Sequence, residues 1–567
     1  MLLEDIILIL LFLLIVTIAA VPVSKYMSNI LTGKKTFISP LIRPLEKFIY
    51  RICSIDENQE MSWKRYAYAL IIFNIIGITF LFVLQLIQNI LPLNPAQMSG
   101  VRWDTALNTA ISFATNTNWQ SYAGETTMSY LTQMLGMTVQ NFLSASVGIA
   151  ALLALIRGFT RQNSDTIGNF WVDITRTILY LLLPLAIIFA LILASQGVVA
   201  TIGPYVTAHT ISGINQTIAL GPVASQEAIK MLGSNGGGFF NANSAHPFEN
   251  PNGFTNILET FLILLIPISV VFAFGYIIKN FRQGLAIFAA MMILLVAGMG
   301  VAYWAESQPN PIIEKMGVSG GNLEGKELSF GVGQSVLWGV ATTSVSNGGV
   351  NSMHDSTMPL TGLVYMFNLG IGEVIFGGLG VGLIGMLFYV ILTMFIAGLM
   401  IGRTPEFLGK KLGPYEMIMA VIALVVPAAL ILIFSSVAIS TPQGLAGLNN
   451  PSAHGLSEIL YAYASAFANN GSAFAGLSAN TVFYNLTIGL AMLIGRFIVI
   501  LPALAIAGAL AAKGRVPTDA SSFPSTNALF VIMLVAVVVV VGALTFFPVF
   551  SLGPILEHLF LQGGLTF

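Results

Sequence analysis

The sequence predicts an all-α polytopic membrane protein: ten transmembrane helices, arranged as four copies of one unit with an extra span at each end. Three observations predict it. Of 567 residues, 56% are hydrophobic and 8% charged, where soluble domains carry roughly 25% charged residues. Apolar stretches of about 20 residues, long enough to cross a bilayer, recur along the whole chain. A short polar, glycine-rich cluster also returns at intervals of 118, 113 and 122 residues when Asn118, Gly236, Gly349 and Gly471 are aligned, which marks an internal repeat. The same composition excludes a disordered chain and a collagen-like fibre. With 23 basic and 24 acidic residues, no excess charge is available for a nucleic acid. Cys53 is the single cysteine, so neither an internal disulfide nor a multi-thiolate metal site can form.

In chain order, spans are expected at 4–24, 66–91, 131–156, 172–200, 256–279, 284–304, 371–401, 416–440, 481–511 and 527–550. The first begins with Glu4 and Asp5, acidic where a cleavable signal is basic, so an uncleaved helix with its N-terminus outside is expected. Ten spans then place 25–65, 157–171, 279–283, 402–415 and 512–526 in the cytoplasm and return the C-terminus to the outside. Eighteen of the 23 basic residues fall in those segments, counting Arg176 at a span edge. Arg102, Lys230, Lys315 and Lys326 lie outside, and Arg496 lies within a span. This is the positive-inside pattern. All five histidines, His209, His246, His354, His454 and His558, fall on the outer side.

Four outer segments hold the repeated feature. Each carries a helix-like stretch too short to span, followed by Gly, Asn, Ser and Thr: DTALNTAISFATNTNWQ from Asp104, PVASQEAIKMLGSNGGG from Pro222, GVGQSVLWGVATTSVSNGGVN from Gly331 and HGLSEILYAYASAFANNGSA from His454. A full span precedes and follows every one. The expected division is therefore 1–65, an extra span and basic loop; 66–171, 172–283, 284–415 and 416–512, the four repeats; and 513–567, the last span. Irregular backbone at membrane depth survives only when buried in protein or lining a watery cavity. A half-helix entering from outside points its C-terminal carbonyls, and a partial negative charge, toward the bilayer centre. Four following loops can then stack carbonyl oxygens that replace the hydration shell of a monovalent cation. A single such loop reads most simply as a turn; four in register behind half-helices read as a filter.

The residues of these segments carry a resemblance. TNTNWQSY (115–122), GSNGGGFFNANSAHPFENP (233–251), SNGGVNSMHDS (346–356), IGEVIFGG (371–378), AGLMIGRTPEFLGKK (397–411) and FANNGSAFAGL (467–477) closely resemble the potassium-binding A subunit of the bacterial Kdp-type potassium-transporting ATPase. That family belongs to the superfamily of potassium transporters built from span–pore-helix–span repeats. The resemblance covers essentially the whole chain. It implies a subunit of the bacterial cytoplasmic membrane, surrounded by lipid, that takes K+ from outside as substrate and has no tightly bound cofactor. It implies that ATP and Mg2+ are used by a P-type ATPase B subunit, with a C subunit and a small F subunit completing the complex. The ion is expected to leave sideways toward the ATPase subunit. Consistent with this, the sequence contains no Asp-Lys-Thr-Gly motif. Gly320-x4-Gly325-Lys326 is followed by Glu327, not Ser or Thr, so it is not read as a phosphate-binding loop.

The expected potassium ligands, mainly through backbone carbonyls, are Asn116, Thr117 and Asn118; Ser234, Asn235 and Gly236; Asn347, Gly348 and Gly349; and Asn469, Asn470 and Gly471, with the register open by one residue. Gln120 is expected at the filter mouth. Arg496, in the middle of the 481–511 span, is expected as a positive barrier below the filter, against the alternative of a structural pair with a carboxylate or carbonyls. Glu373, at the start of the seventh span, either draws a cation toward a side exit or caps a helix. Glycines crowd the first half of that span, and Gly377, Gly378 and Gly380 are expected to form a broken, gating segment, although glycine also permits close helix packing. His354 and Asp355 are expected to brace a loop without a further ligand cluster. No catalytic residues are expected, because no nucleophile–base–oxyanion set is present. The alternative function is a stand-alone potassium channel or ion-coupled potassium transporter of the same superfamily.

Overall fold

Ten helices are long and apolar enough to span a membrane in the computed structural model, which describes residues 2–516 and 523–565. They are Leu3–Leu31, Trp63–Leu86, Thr132–Thr160, Phe170–Ser195, Gly253–Ile277, Phe281–Lys315, Val381–Met400, Pro414–Ile439, Val482–Ala512 and Ala528–Leu552. Four shorter helices lie between spans: Trp103–Ala114, Val223–Gly233, Gly331–Ser344 and Ser452–Ala468. These are the expected half-helices, called pore helices below.

Burial separates the spans into two classes. The second spans of the four units, Thr132–Thr160, Gly253–Ile277, Val381–Met400 and Val482–Ala512, have 61–83% of their most apolar stretch inside the protein. The first spans and the two end spans have only 28–44% buried. Both classes are apolar, because lipid is as apolar as a protein core; what distinguishes the inner helices is small residues that let backbones approach. Gly158 lies against the backbone of Ala507, and Gly495 against that of Phe467. The four second spans thus form the buried part of the protein, the third, seventh and ninth touching one another, and the remaining spans lie toward its surface. The first span packs on the fifth, the eighth on the ninth, and the last on the sixth and seventh.

The structure corrects the seventh span. Residues 371–380 are not helical; a separate helix, Pro359–Gly370, precedes them, and the long helix begins only at Val381. The element is two helices joined by a linker. Gly380 has φ +87°, and a Cβ there would run into the Gly148 backbone of the third span, so a continuous helix cannot form at this position.

The segments between spans contain structure that hydropathy does not reveal. An amphipathic helix, Ser39–Ile52, occupies the first of them. A two-stranded hairpin pairs Glu406 with Lys411 and Phe407 with Lys410. A second antiparallel hairpin pairs Val206–His209 with Asn215–Ile218 between the fourth span and the second pore helix. The expected cytoplasmic segment 512–526 lies partly outside the described residues.

Candidate functional site: four loops around one centre

Each pore helix ends in the same way. The residue after its last turn adopts a left-handed conformation: Asn116 (φ 68°), Ser234 (47°), Ser346 (58°) and Asn469 (60°). The next amide then reaches five residues back to a helix carbonyl: Thr117 to Ser112 (3.0 Å), Asn235 to Lys230 (3.1 Å), Asn347 to Thr342 (3.1 Å) and Asn470 to Ser465 (2.9 Å). This closing bond satisfies a terminal carbonyl and reverses the chain. Asn and Ser suit the position because their short side chains tolerate positive φ and bond locally.

Four copies of one bond fix the register. The equivalent triplets are Asn116-Thr117-Asn118, Ser234-Asn235-Gly236, Ser346-Asn347-Gly348 and Asn469-Asn470-Gly471. The third is shifted by one from the expected Asn347-Gly348-Gly349. Gly349 is tied into its own repeat: its N–H donates to Asn347 Oδ1 (3.0 Å), and its carbonyl accepts from Trp338 Nε1 (2.7 Å) and Thr342 Oγ1 (2.8 Å). The second loop departs from the others in delaying its next positive φ to Gly237.

The loops meet. A Cβ placed on Gly236 would stand 2.5 Å from the carbonyl oxygen of Thr117, 2.7 Å from that of Asn470 and 3.2 Å from that of Asn347. Those three residues occupy the same register position in the other three loops. Side chains link neighbouring loops: Asn116 Nδ2 donates to the Ser234 carbonyl (2.6 Å), Ser346 Oγ to that of Asn469 (2.9 Å), and Asn469 Nδ2 to Thr117 Oγ1 (3.0 Å). Asn118 Nδ2 is braced by Asn141 Oδ1 of the third span (2.5 Å). All these residues are buried. Gln120 clamps the first loop to the second through reciprocal bonds with Gly238, donating to its carbonyl (3.0 Å) and accepting from its N–H (2.9 Å).

Two ionisable groups flank this assembly. Arg496, 3% exposed, donates through Nη2 to the Ser144 carbonyl (2.8 Å). Ser144 Oγ in turn donates to Asn116 Oδ1 (2.8 Å). Among the described residues Arg496 has no carboxylate partner. Glu373 lies in the linker, not at a helix start. It accepts from Asn470 Nδ2 (2.5 Å), and its second oxygen has no hydrogen-bond partner among the described residues. The linker touches the filter loops again at Gly378, where a Cβ would lie 3.0 Å from that of Ser346. Gly377 packs on the Glu373 backbone, and Gly380 on the third span.

Sequence reasoning missed the charged groups behind the filter. Lys230, on the second pore helix, is fully buried between Glu227 (2.7 Å) and Glu249 (3.1 Å). It also missed that Asp355 does join a cluster, with His454 and Glu458. His454 donates toward Asp355 Oδ1 (3.1 Å) and Glu557 Oε2 (3.2 Å), joining the third loop, the fourth pore helix and the C-terminal helix Pro554–Gln562. The signal available was only that each carries charge near an outer loop. His354 shares a hydrogen bond with the Tyr461 hydroxyl (2.9 Å), and burial pushes its pKa down to about 3, keeping it neutral. Lys326, of the phosphate-loop look-alike, is spent on an ion pair with Glu306 (2.8 Å).

Comparison with known proteins places this arrangement. Residues 10–559 match the family described as potassium-transporting ATPase A subunit. The chain is 52% identical to the potassium-transporting ATPase potassium-binding subunit of Mesorhizobium japonicum over 559 residues, covering 99% of each. It is 54% identical to the subunit of the same name from Brucella anthropi over 99% of both chains, and 53% identical to that from Pseudomonas entomophila, over 98% of this chain and 99% of the relative. Among solved structures it shares the fold of the potassium transporter TrkH from Vibrio parahaemolyticus, with a TM-score of 0.54 at 13% identity, covering 86% of this chain and 96% of that one. The chain therefore belongs to the family of potassium-transporting ATPase A subunits.

Proposed function

We propose that this chain is the potassium-binding and translocating subunit of an ATP-driven potassium importer. The observation that carries the reading is the approach of the Thr117, Asn347 and Asn470 carbonyls, equivalent in register, to Gly236. A ring of carbonyl dipoles offers a dehydrated alkali ion the oxygens it loses from water, and pore-helix C-termini aimed at the same place add negative potential. The ligands are the carbonyls of the four triplets, with Asn235 as the fourth member of the ring. Gly349 shapes the third loop, and Gln120 holds the mouth. Arg496, one hydrogen-bonded step from the first loop, is a positive barrier below the filter. Glu373 attracts the cation leaving it, and the linker with Gly377, Gly378 and Gly380 gates the exit. ATP with Mg2+ is consumed by a P-type ATPase B subunit; a C subunit and a small F subunit complete the complex in the bacterial cytoplasmic membrane, with both ends of this chain outside.

The test is a potassium-dependent ATPase assay on the copurified complex. Gly236→Asp and Gln120→Arg are expected to raise the potassium concentration for half-maximal activity by about tenfold or more, the equivalent of about 1.4 kcal/mol. Unchanged affinity in both variants would place the ion elsewhere. A stand-alone channel or ion-coupled transporter instead predicts potassium uptake by this chain without an ATPase partner.

A further inference from the structure

On the cytoplasmic side, where the first span ends, a cavity of about 430 Å³ opens between the first span, the helix Ser39–Ile52 and the fourth span. Lys34, Lys35, Arg43 and Arg176 line it, with Glu46 and Tyr180 at its floor. The arginines are already committed. Glu46 is buried and accepts from Arg43 (2.8 Å), Arg176 (2.9 Å), Tyr50 (2.8 Å) and Tyr180 (2.7 Å). Arg43 also forks onto Glu57 at 2.7 and 2.8 Å. Burial opposes the charge on Glu46, but the bonds from Arg43, Tyr180 and Arg176 outweigh it and hold its pKa down at about 2. Lys34 and Lys35 have no side-chain partner among the described residues, although both line the cavity. Four cations against the two carboxylates Glu46 and Glu57 leave the site positive.

The helix beside the cavity has a second unmatched surface. Leu41, Leu45, Phe48 and Ile52 recur at helical spacing and are 78%, 42%, 56% and 66% exposed, with Phe37 just before them at 83%. Ile42, Glu46, Ile49 and Tyr50 of the same helix face the protein. One side of the helix therefore packs on the protein and another offers hydrocarbon outward, next to a basic pocket at the end of a membrane span.

We propose that this cavity binds the head group of an anionic phospholipid of the inner leaflet, with the lipid's acyl chains lying along Leu41, Leu45 and Phe48. Charge and apolar surface are matched by one molecule. A phosphodiester without a compensating cation offers the Lys34–Lys35 pair a negative charge to bond, and basic pockets between spans on the cytoplasmic side favour such head groups. An amphipathic helix with an apolar outer face lies in the membrane interface. A zwitterionic lipid would bring its own cation to the lysines, and a cytosolic protein domain would leave the apolar stripe in contact with nothing suited to it.

The experiment uses the intact purified complex in nanodiscs of phosphatidylcholine with and without phosphatidylglycerol, read by native mass spectrometry of retained lipid. Wild type is expected to retain phosphatidylglycerol over phosphatidylcholine. Lys34→Gln with Lys35→Gln is expected to reduce that retention by about tenfold or more, with Tm unchanged. Phe48→Ser with Leu41→Ser, which leaves every charge in place, is expected to reduce it as well. Equal retention by wild type and the lysine variant would overturn the proposal. So would displacement of the lipid by inorganic phosphate with the serine variant unaffected, which identifies a free-phosphate site. Loss of a partner subunit from the lysine variant, with lipid retention intact, would identify a protein contact and also overturn it.

Discussion

His454 shows what a single side chain contributes to holding the loops together. Its imidazole stands between Asp355 and Glu557, and its tie to Asp355 also reaches the fourth loop, because Asp355 Oδ2 accepts from the Gly476 N–H (3.1 Å). Burial disfavours the charged ring, but hydrogen bonds to Asp355 and Glu557 prevail and raise its pKa to about 10. A histidine whose folded pKa is raised contributes stability that is fully present below its unfolded value, near 6.5, and is lost as pH rises through the folded one. His454→Gln is therefore expected to lower Tm of the complex at pH 7, and the gap to wild type should narrow steadily as pH rises toward 10 and close there. A gap constant from pH 7 to 10.5 would mean that the ring acts by packing alone. This cluster was not legible in the sequence, since Asp355, His454 and Glu557 are about a hundred residues apart and nothing local to any of them announces the others. The four loops were legible because each repeats a composition. The one register error fell in the third loop, where Ser346-Asn347-Gly348-Gly349 offers two adjacent glycines and only the backbone bond from Asn347 to Thr342 selects between them.

At the level of elements, the linker 371–380 and the hairpin 406–411 each place irregular backbone where a helix would be simpler. Hydropathy found the apolar run but not the break in it, because Ile371, Val374, Ile375 and Phe376 are as apolar as helical neighbours and all are buried. The glycines were the only sequence signal. Under the proposed function, the linker's contact with Ser346 and the bond between Glu373 and Asn470 couple filter to exit. Gly378→Ala with Gly380→Ala is expected to abolish most ATP-driven uptake while potassium still binds. Normal transport by this variant, measured as rubidium uptake into proteoliposomes, would remove the linker from the gating path. The hairpin does different work. Lys410 Nζ donates to the carbonyls of Arg161 (2.5 Å), Leu510 (2.9 Å) and Lys513 (2.5 Å), at the ends of the third and ninth spans. An ammonium at two helix C-termini satisfies orphan carbonyls and opposes their dipoles. Lys410→Met leaves those acceptors unpaired and should cost about 2 kcal/mol, seen as a lower Tm in detergent; a Tm equal to wild type would show that water serves the carbonyls as well.

Across the whole molecule, the four inner spans are the buried ones, and Arg496 on the ninth joins the first loop through Ser144 of the third. A pump must not leak, so a fold shared with a potassium transporter has to carry something that prevents ions which pass the filter from running straight down the axis. Arg496 lies midway along the ninth span, 3% exposed, and its charge is held by a carbonyl and not cancelled by a carboxylate among the described residues. An intramembrane charge retained without a counter-ion is costly, and that cost is explained if the charge itself is the device. At effective dielectric constants near 20, two unit charges 4 Å apart repel by about 4 kcal/mol, enough to slow a cation's passage by about a thousandfold. Arg496→Gln keeps a donor for the Ser144 carbonyl but removes the charge, so the fold and the first filter loop should survive. The expected result is rubidium flux into proteoliposomes without ATP, at a rate that wild type does not show, together with ATP hydrolysis no longer matched by net uptake. If the variant remained as tight as wild type while still binding potassium, the barrier would lie in the packed linker instead, and Arg496 would be a brace for the third span.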